Sequence, residues 1–245
     1  MKHKLTSTTT LHYVKLVLRS ILFVGALTLY ILNFAIDATF VKYLYWFLAG
    51  VWLLYAIEIF LRFFPSKIES PGCQKQFKKN YIPINTTQKP KIQSWKRTFF
   101  AFLSWIILNG IIGVLYLTGI INKEILILIS LAYGVCDMIC ILFFCPFQTL
   151  IMKNRCCTTC RIYNWDFAMM FTPFIFIPHW FTWSLLGMAL ILLFRWEFSL
   201  KRHPERFATN TNEYISCKNC TEKLCCHKRQ LQGFLQKYKD KFWTK

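Results

Sequence analysis

Long apolar runs constrain this chain more than any other feature. Leu16 to Ile36 is broken only by Arg19; Tyr43 to Phe64, Thr98 to Gly119 and Ile125 to Phe147 follow, with few charges inside them. A helix needs about 20 apolar residues to cross the roughly 30 Å hydrocarbon core of a bilayer. A soluble domain spreads its apolar residues in short periodic patches instead. Composition agrees, since 55% of the 245 residues are hydrophobic and only 17% are charged, against roughly 25% in soluble domains. The first run is too long for the core of a secretory signal, and Asp37-Ala38 is a poor cleavage site, so the run reads as a retained helix.

Six residues, Asp37 to Lys42, join the first two runs, and Asn122-Lys123-Glu124 lies between the next two. Both connections predict tight helical hairpins. Between the hairpins, Pro65 to Arg97 carries eight basic residues and one acid, with Pro71, Gly72, Pro83 and Pro90. That composition predicts an irregular surface loop. A fifth apolar region, Trp165 to Trp196, is longer than one span and shorter than two, and Pro173 and Pro178 interrupt it. Proline removes an amide donor and breaks helices. The region is therefore either one long kinked helix or a short re-entrant segment (163–177) followed by a full span (180–200). The expected fold is an all-α integral membrane protein, a polytopic bundle of five or six segments over residues 1–200, with a basic cysteine-rich tail over 201–245.

The net charge is +19, concentrated at the N-terminus, in 65–97 and in 148–164, while the turns 37–42 and 120–124 are neutral. The positive-inside rule then predicts a cytoplasmic N-terminus, in a plasma or inner membrane. The chain after Trp196 has eleven Lys/Arg and five Asp/Glu and is expected on the same side, which requires an even number of crossings and favours the split reading. Basic loops beside apolar spans suit anionic lipid headgroups. Nucleic acid is not expected, because no folded module for it is visible. Leu231, Phe234, Leu235, Tyr238 and Phe242 recur at helical spacing among lysines and predict an amphipathic surface helix over 227–243.

Eleven cysteines are placed unevenly. Cys73 stands alone; Cys136, Cys140 and Cys145 fall in the fourth run. The pairs Cys157-x-x-Cys160 and Cys217-x-x-Cys220 can supply four thiolates to one metal, with Cys156, Cys225 and Cys226 as substitutes. A structural zinc joining the 148–164 loop to the tail is the leading expectation. An iron–sulfur centre passing electrons to a quinone or redox partner protein is the alternative. Thiol–disulfide exchange at the CxxC pairs is the third. A shared site needs both pairs on one side of the membrane. Cys136 and Cys140 share a helix face that suits copper(I), although buried cysteine is more often a small hydrophobe.

Asp137 sits near the middle of the fourth run. A carboxylate there costs at least ~2.5 kcal/mol and should face the bundle interior with a partner. Asn109 is the expected partner, with Gly110 and Gly113 allowing close approach. Glu58 and Arg62, four apart, predict a local ion pair with Arg62 snorkelling outward. Asp166 is placed to cap a helix. Trp165, Trp180, Trp183 and Trp196 suit interfacial belts. His179 has no partner histidine in any span, so no haem is expected, and His203 is at most a supplementary metal ligand. No nucleophile–base set, phosphate-cradling glycine loop or HExxH motif is present, so no catalysis beyond electron transfer is expected.

Overall fold

A computed structural model describes residues 6–35, 41–154, 156–220, 222–225 and 228. The regular structure among them is helical, apart from one isolated antiparallel bridge between Pro83 and Asn212. The long helices are α1 (Ser7–Ala35), α2 (Val41–Leu61), α4 (Trp95–Leu117), α5 (Lys123–Leu142) and α7 (Trp180–Arg202); α3 (Pro71–Gln74) and α6 (Asp166–Met170) are short. Four stretches are long and apolar enough to cross a membrane: Ser7–Leu32, Trp95–Leu117, Lys123–Leu142 and Trp180–Arg202. Trp46–Leu61 is a shorter apolar helix. Their outer faces carry exposed Ile21, Val24 and Ile31 on α1, Phe99, Ile107 and Val114 on α4, and Ile191, Phe194 and Phe198 on α7. Faces of that kind suit lipid and not water. The surface helix predicted over 227–243 and Cys226 lie outside the described residues.

Local chemistry sets the helix ends. Gly119 adopts φ +76° just past α4, a left-handed position that glycine takes without strain. The Asn122 side chain accepts the Ile125 N–H at 3.0 Å and caps α5. His179 Nδ1 accepts the Phe181 N–H at 3.4 Å at the start of α7, and Pro178 before it disfavours helix upstream.

The connections are short as read, yet among the described residues the helices of neither expected hairpin pack closely on one another. Neither α1 and α2 nor α4 and α5 run in close backbone contact; α1 lies on α5 and α2 lies on α7. The residues between Cys160 and Trp180 lie between α4 and α5. They run as a 3₁₀ turn (Arg161–Trp165), α6 and a second 3₁₀ turn (Thr172–Phe176), packed against α4, α5 and α7. This broken stretch starts where Trp165 Nε1 donates to Glu197 Oε1 at 2.8 Å, near the end of α7. It finishes where Thr182 Oγ1 donates to the Ile177 carbonyl at 2.6 Å, near the start of α7. The chain therefore travels the length of α7 in broken turns and returns as a continuous helix. The single long helix allowed by the sequence is excluded.

Close packing holds the wedge, because lipid supplies no hydrophobic drive between helices. Phe167, Phe171 and Phe174 stack along it with centroids 6.2 and 5.3 Å apart. Gly113 of α4 admits the Phe176 ring, which a Cβ at that position would meet at 2.3 Å. Pro65 to Arg97 is irregular as expected, but it is not all surface. Ser70, Cys73, Gln74 and Lys75 are buried, and Ser70 Oγ accepts the Gly72 N–H at 3.1 Å to cap α3.

Candidate functional site

A layer of buried charge lies inside the bundle. Arg19 is 1% exposed. Its Nη2 donates to Glu58 Oε2 at 2.7 Å, and its Nη1 donates to Asp137 Oδ2 at 2.9 Å and the Gly134 carbonyl at 3.0 Å. The rings of Tyr55 and Phe167 lie 5.4 and 5.7 Å from the guanidinium. Lys15, one turn earlier on the same face of α1, reaches Glu58 at 3.6 Å and Glu69 at 3.0 Å. Beside this chain of pairs, Arg62 donates to Asp166 Oδ2 at 2.5 Å, with the Phe167 ring 4.4 Å away. The two groups of ion pairs tie α1, α2, α5, α6 and the loop after α2 together.

Asp137 is held by Arg19 and not by Asn109, whose Nδ2 donates to the Trp105 carbonyl of its own helix at 3.0 Å. Glu58 and Arg62 do not pair with each other, because α1 and α6 supply each with a closer opposite charge. Arg62 is 3% exposed, so it does not snorkel. Trp165 occupies the cap position of α6, and the Asp166 carboxylate serves Arg62 instead. Trp180 and Trp183 are exposed as a belt requires, whereas Trp196 is fully buried and Trp165 is tied to Glu197. His203 meets Glu205 at 3.1 Å. Sequence reading missed Arg19, although a lone charge inside an apolar run is itself the signal for a buried partner.

The thiols gather next to this layer. Cys140 lies one turn beyond Asp137 on α5. The helix stops at Leu142, and a π turn (Phe147–Ile151) after Pro146 carries the chain away. This break brings Cys145 to the same cavity wall as Cys140, where each thiol influences the other. The Gln148 N–H donates to Cys145 Sγ at 3.3 Å. Lys228 Nζ donates to the Cys140 carbonyl at 2.8 Å, to Gln148 Oε1 at 3.4 Å and to Cys157 Sγ at 3.1 Å. The Cys157 thiol donates to Gln148 Oε1 at 3.2 Å. A cavity of about 130 Å³ opens here, lined by Cys136, Cys140, Cys145, Cys157 and Cys160, with Asp137 and Asp166 also on its wall.

The sulfurs differ in character. Burial pushes the Cys157 thiol up to about 11 and the Cys160 thiol up to about 12, so both stay protonated near neutrality. Cys145 moves the other way. The neighbouring Cys140 thiol holds it below the ordinary thiol range against the opposing effect of burial, and the Gln148 N–H and the Lys228 charge add to that. A depressed thiol beside a cation is the usual setting of a reactive cysteine.

Cys157 and Cys160 are buried, Cys217 and Cys225 are exposed, and Cys156 and Cys220 are intermediate. Among the described residues, no three His, Cys, Asp or Glu side chains are grouped to hold a metal ion. The 148–164 loop does meet the tail, through Lys228 on Gln148 and Cys157. Glu222 completes the junction: its carbonyl accepts from Thr9 Oγ1 at 2.8 Å and its carboxyl binds Ser70 Oγ. Burial pushes the Glu222 carboxyl up to about 7.

No protein-family model matches this chain, and no curated protein and no solved structure matches it either.

Proposed function

We propose that this chain is a multi-pass membrane protein that exchanges thiols for disulfides, with Cys145 as the attacking thiolate and Cys140 as the resolving thiol. The observation that carries this reading is the pair of thiols, Cys140 and Cys145, on one cavity wall at the broken end of α5, with the Gln148 N–H on Cys145 Sγ at 3.3 Å. Cys145 attacks a substrate disulfide; an S–S bond forms to one substrate sulfur and the other leaves as a thiolate. Cys140, losing its proton, then attacks Cys145 Sγ and releases the second substrate thiolate. Two electrons pass to the substrate, and the chain is left with a Cys140–Cys145 disulfide. A cellular thiol of the glutathione class reduces that bond and restores the dithiol. In this reading the CxxC cysteines support the site and are not its nucleophiles.

Cys140→Ser tests it. The variant should accumulate a mixed disulfide at Cys145 when incubated with a small disulfide, and Cys145→Ser should accumulate none. Equal trapping at Cys217 or Cys220 would move the chemistry to the tail.

The proposed topology has six membrane segments, counting α2 and the broken stretch 161–177, with both termini cytoplasmic. The basic loops and the antiparallel course of 161–177 and α7 support it. An impermeant maleimide on intact cells should leave the exposed Cys217 unlabelled.

One observation favours a second reading. Loop and tail share one end of the bundle, which is the condition for a Cys157, Cys160, Cys217 and Cys220 metal clamp holding zinc or an iron–sulfur cluster that serves a quinone or redox partner. Metal analysis of protein purified without oxygen decides it: about one zinc, or iron with sulfide, per chain supports the clamp. Metal-free protein that still exchanges disulfides removes it.

A further inference from the structure

Lys75 is a buried cation without a carboxylate. It follows α3 and is 1% exposed. Its Nζ donates to the carbonyls of Thr158 at 2.7 Å and Cys160 at 3.5 Å, and it stands 5.0 Å over the Trp196 ring. Among the described residues, no Asp or Glu lies within ion-pair distance of it. An ionised ammonium buried without an opposite charge is costly. Burial accordingly pulls the Lys75 ammonium down to about 8, which still leaves most of it charged at neutral pH.

Lys75 lines a cavity of about 190 Å³ at the end of the bundle that bears the loops. Lys91 and Arg161 line it too, with Gln93, Asn154, Thr159 and Thr209 among its polar walls and no carboxylate in the lining. Arg161 uses Nη2 on Glu197 at 2.8 Å, but its Nε is buried with no partner. Trp196, Leu200 and Phe207 form an apolar side. Three cations, neutral hydrogen-bonding side chains and one greasy wall complement an anion attached to an organic body. Drug-sized ligands occupy roughly 300–1,000 Å³, so this cavity fits a smaller group.

We propose that this cavity is a phosphate-binding site formed by Lys75, Lys91 and Arg161, and that its ligand is a phosphate ester with a short apolar or glycerol body. Two sources share this chemistry, the headgroup of an anionic phospholipid and a soluble phosphate monoester. The site is separate from the Cys140–Cys145 pair and does not depend on disulfide exchange. The ligand's charge supplies the counter-ion that Lys75 lacks.

The test uses the full chain in nanodiscs of neutral phosphatidylcholine. Thermal unfolding is followed with added glycerol 3-phosphate, and separately with part of the lipid replaced by phosphatidylglycerol. Stabilisation by glycerol 3-phosphate assigns a soluble ester; stabilisation by phosphatidylglycerol alone assigns a lipid headgroup. Either supports the site if Lys75→Gln and Lys91→Gln each weaken the response by about tenfold or more in apparent affinity, the scale of one lost charge-assisted hydrogen bond. The exposed Lys78→Gln and Lys79→Gln variants should respond as wild type. Because Lys75 is buried and its variant can fail to fold, Lys91→Gln and Thr209→Val carry the test independently. No stabilisation by either probe overturns the proposal. So does an equal loss in Lys78→Gln and Lys79→Gln, since that is the behaviour of a diffuse basic surface.

Discussion

Arg19 Nη1 and Asp137 Oδ2 lie 2.9 Å apart across the contact of α1 and α5, and the same guanidinium holds Glu58 with its other nitrogen. One cation therefore balances two carboxylates from two different helices. Replacing it with an apolar side chain of similar length leaves Asp137 without its counter-charge and Glu58 with Lys15 alone, at 3.6 Å. Arg19→Met is expected to cost about 3–5 kcal/mol, the usual penalty for removing one partner of a buried pair. Thermal unfolding in mild detergent measures this. Adding Asp137→Asn and Glu58→Gln to Arg19→Met should recover much of the loss, because no unpaired charge then remains.

Glycines give a contrast within the same bundle. A Cβ on Gly134 would meet the Tyr55 hydroxyl at 2.6 Å, whereas one on Gly50 meets nothing within 4 Å. Gly134→Ala should destabilise by about 1–3 kcal/mol through overpacking. Gly50→Ala should be neutral or add up to roughly 1 kcal/mol from helix propensity. Unfolding midpoints of the two variants, side by side, check the packing between α2 and α5.

Cys145 should alkylate at lower pH than an ordinary thiol. Its thiolate is favoured by Cys140, Gln148 and Lys228, so iodoacetamide reactivity should level off below about pH 8.5, the ordinary thiol value. Cys140→Ala and Lys228→Met should each move that midpoint upward. Peptide mass spectrometry across a pH series reads it, and an unchanged midpoint in Cys140→Ala would remove the sulfur contact as the cause.

Lys75 sets a dependence of stability on pH. Its ammonium falls from 10.5 to about 8 on folding, so between these values the unfolded chain binds more protons than the folded one. Stability from this group therefore rises with pH across that window and is flat below it. The buried thiols of Cys157 and Cys160 act oppositely above pH 9, since folding raises them. The difference between wild type and Lys75→Met isolates the lysine, and the variant should lose the alkaline gain.

The membrane character and the split of the last region were legible, because length of apolar run and proline position act locally. Pro173 and Pro178 mark where a helix must kink or break, and the break is what the structure has. Helix partners were not legible. Asn109 is the nearest polar residue to Asp137 by sequence logic, yet nothing local states that α1 and not α4 lies on α5. The same holds for Glu58 and Arg62, whose spacing suits a pair that tertiary contacts replace. Among the cysteines, regular CxxC spacing drew the eye, while Cys140 and Cys145 are brought together by the end of a helix and a π turn. No simple spacing rule encodes such a break.

The order in which ribosomes make this chain gives the Arg19 cluster a temporal side. Glu58 follows Arg19 by 39 residues and Asp137 by 118. At roughly 5–20 residues per second, the first counter-charge emerges several seconds before the second. A nascent α1 therefore carries an unmatched guanidinium first, gains one carboxylate with α2, and has the set completed only when α5 emerges. Truncation between these points leaves a helix whose guanidinium has one of its two carboxylate partners.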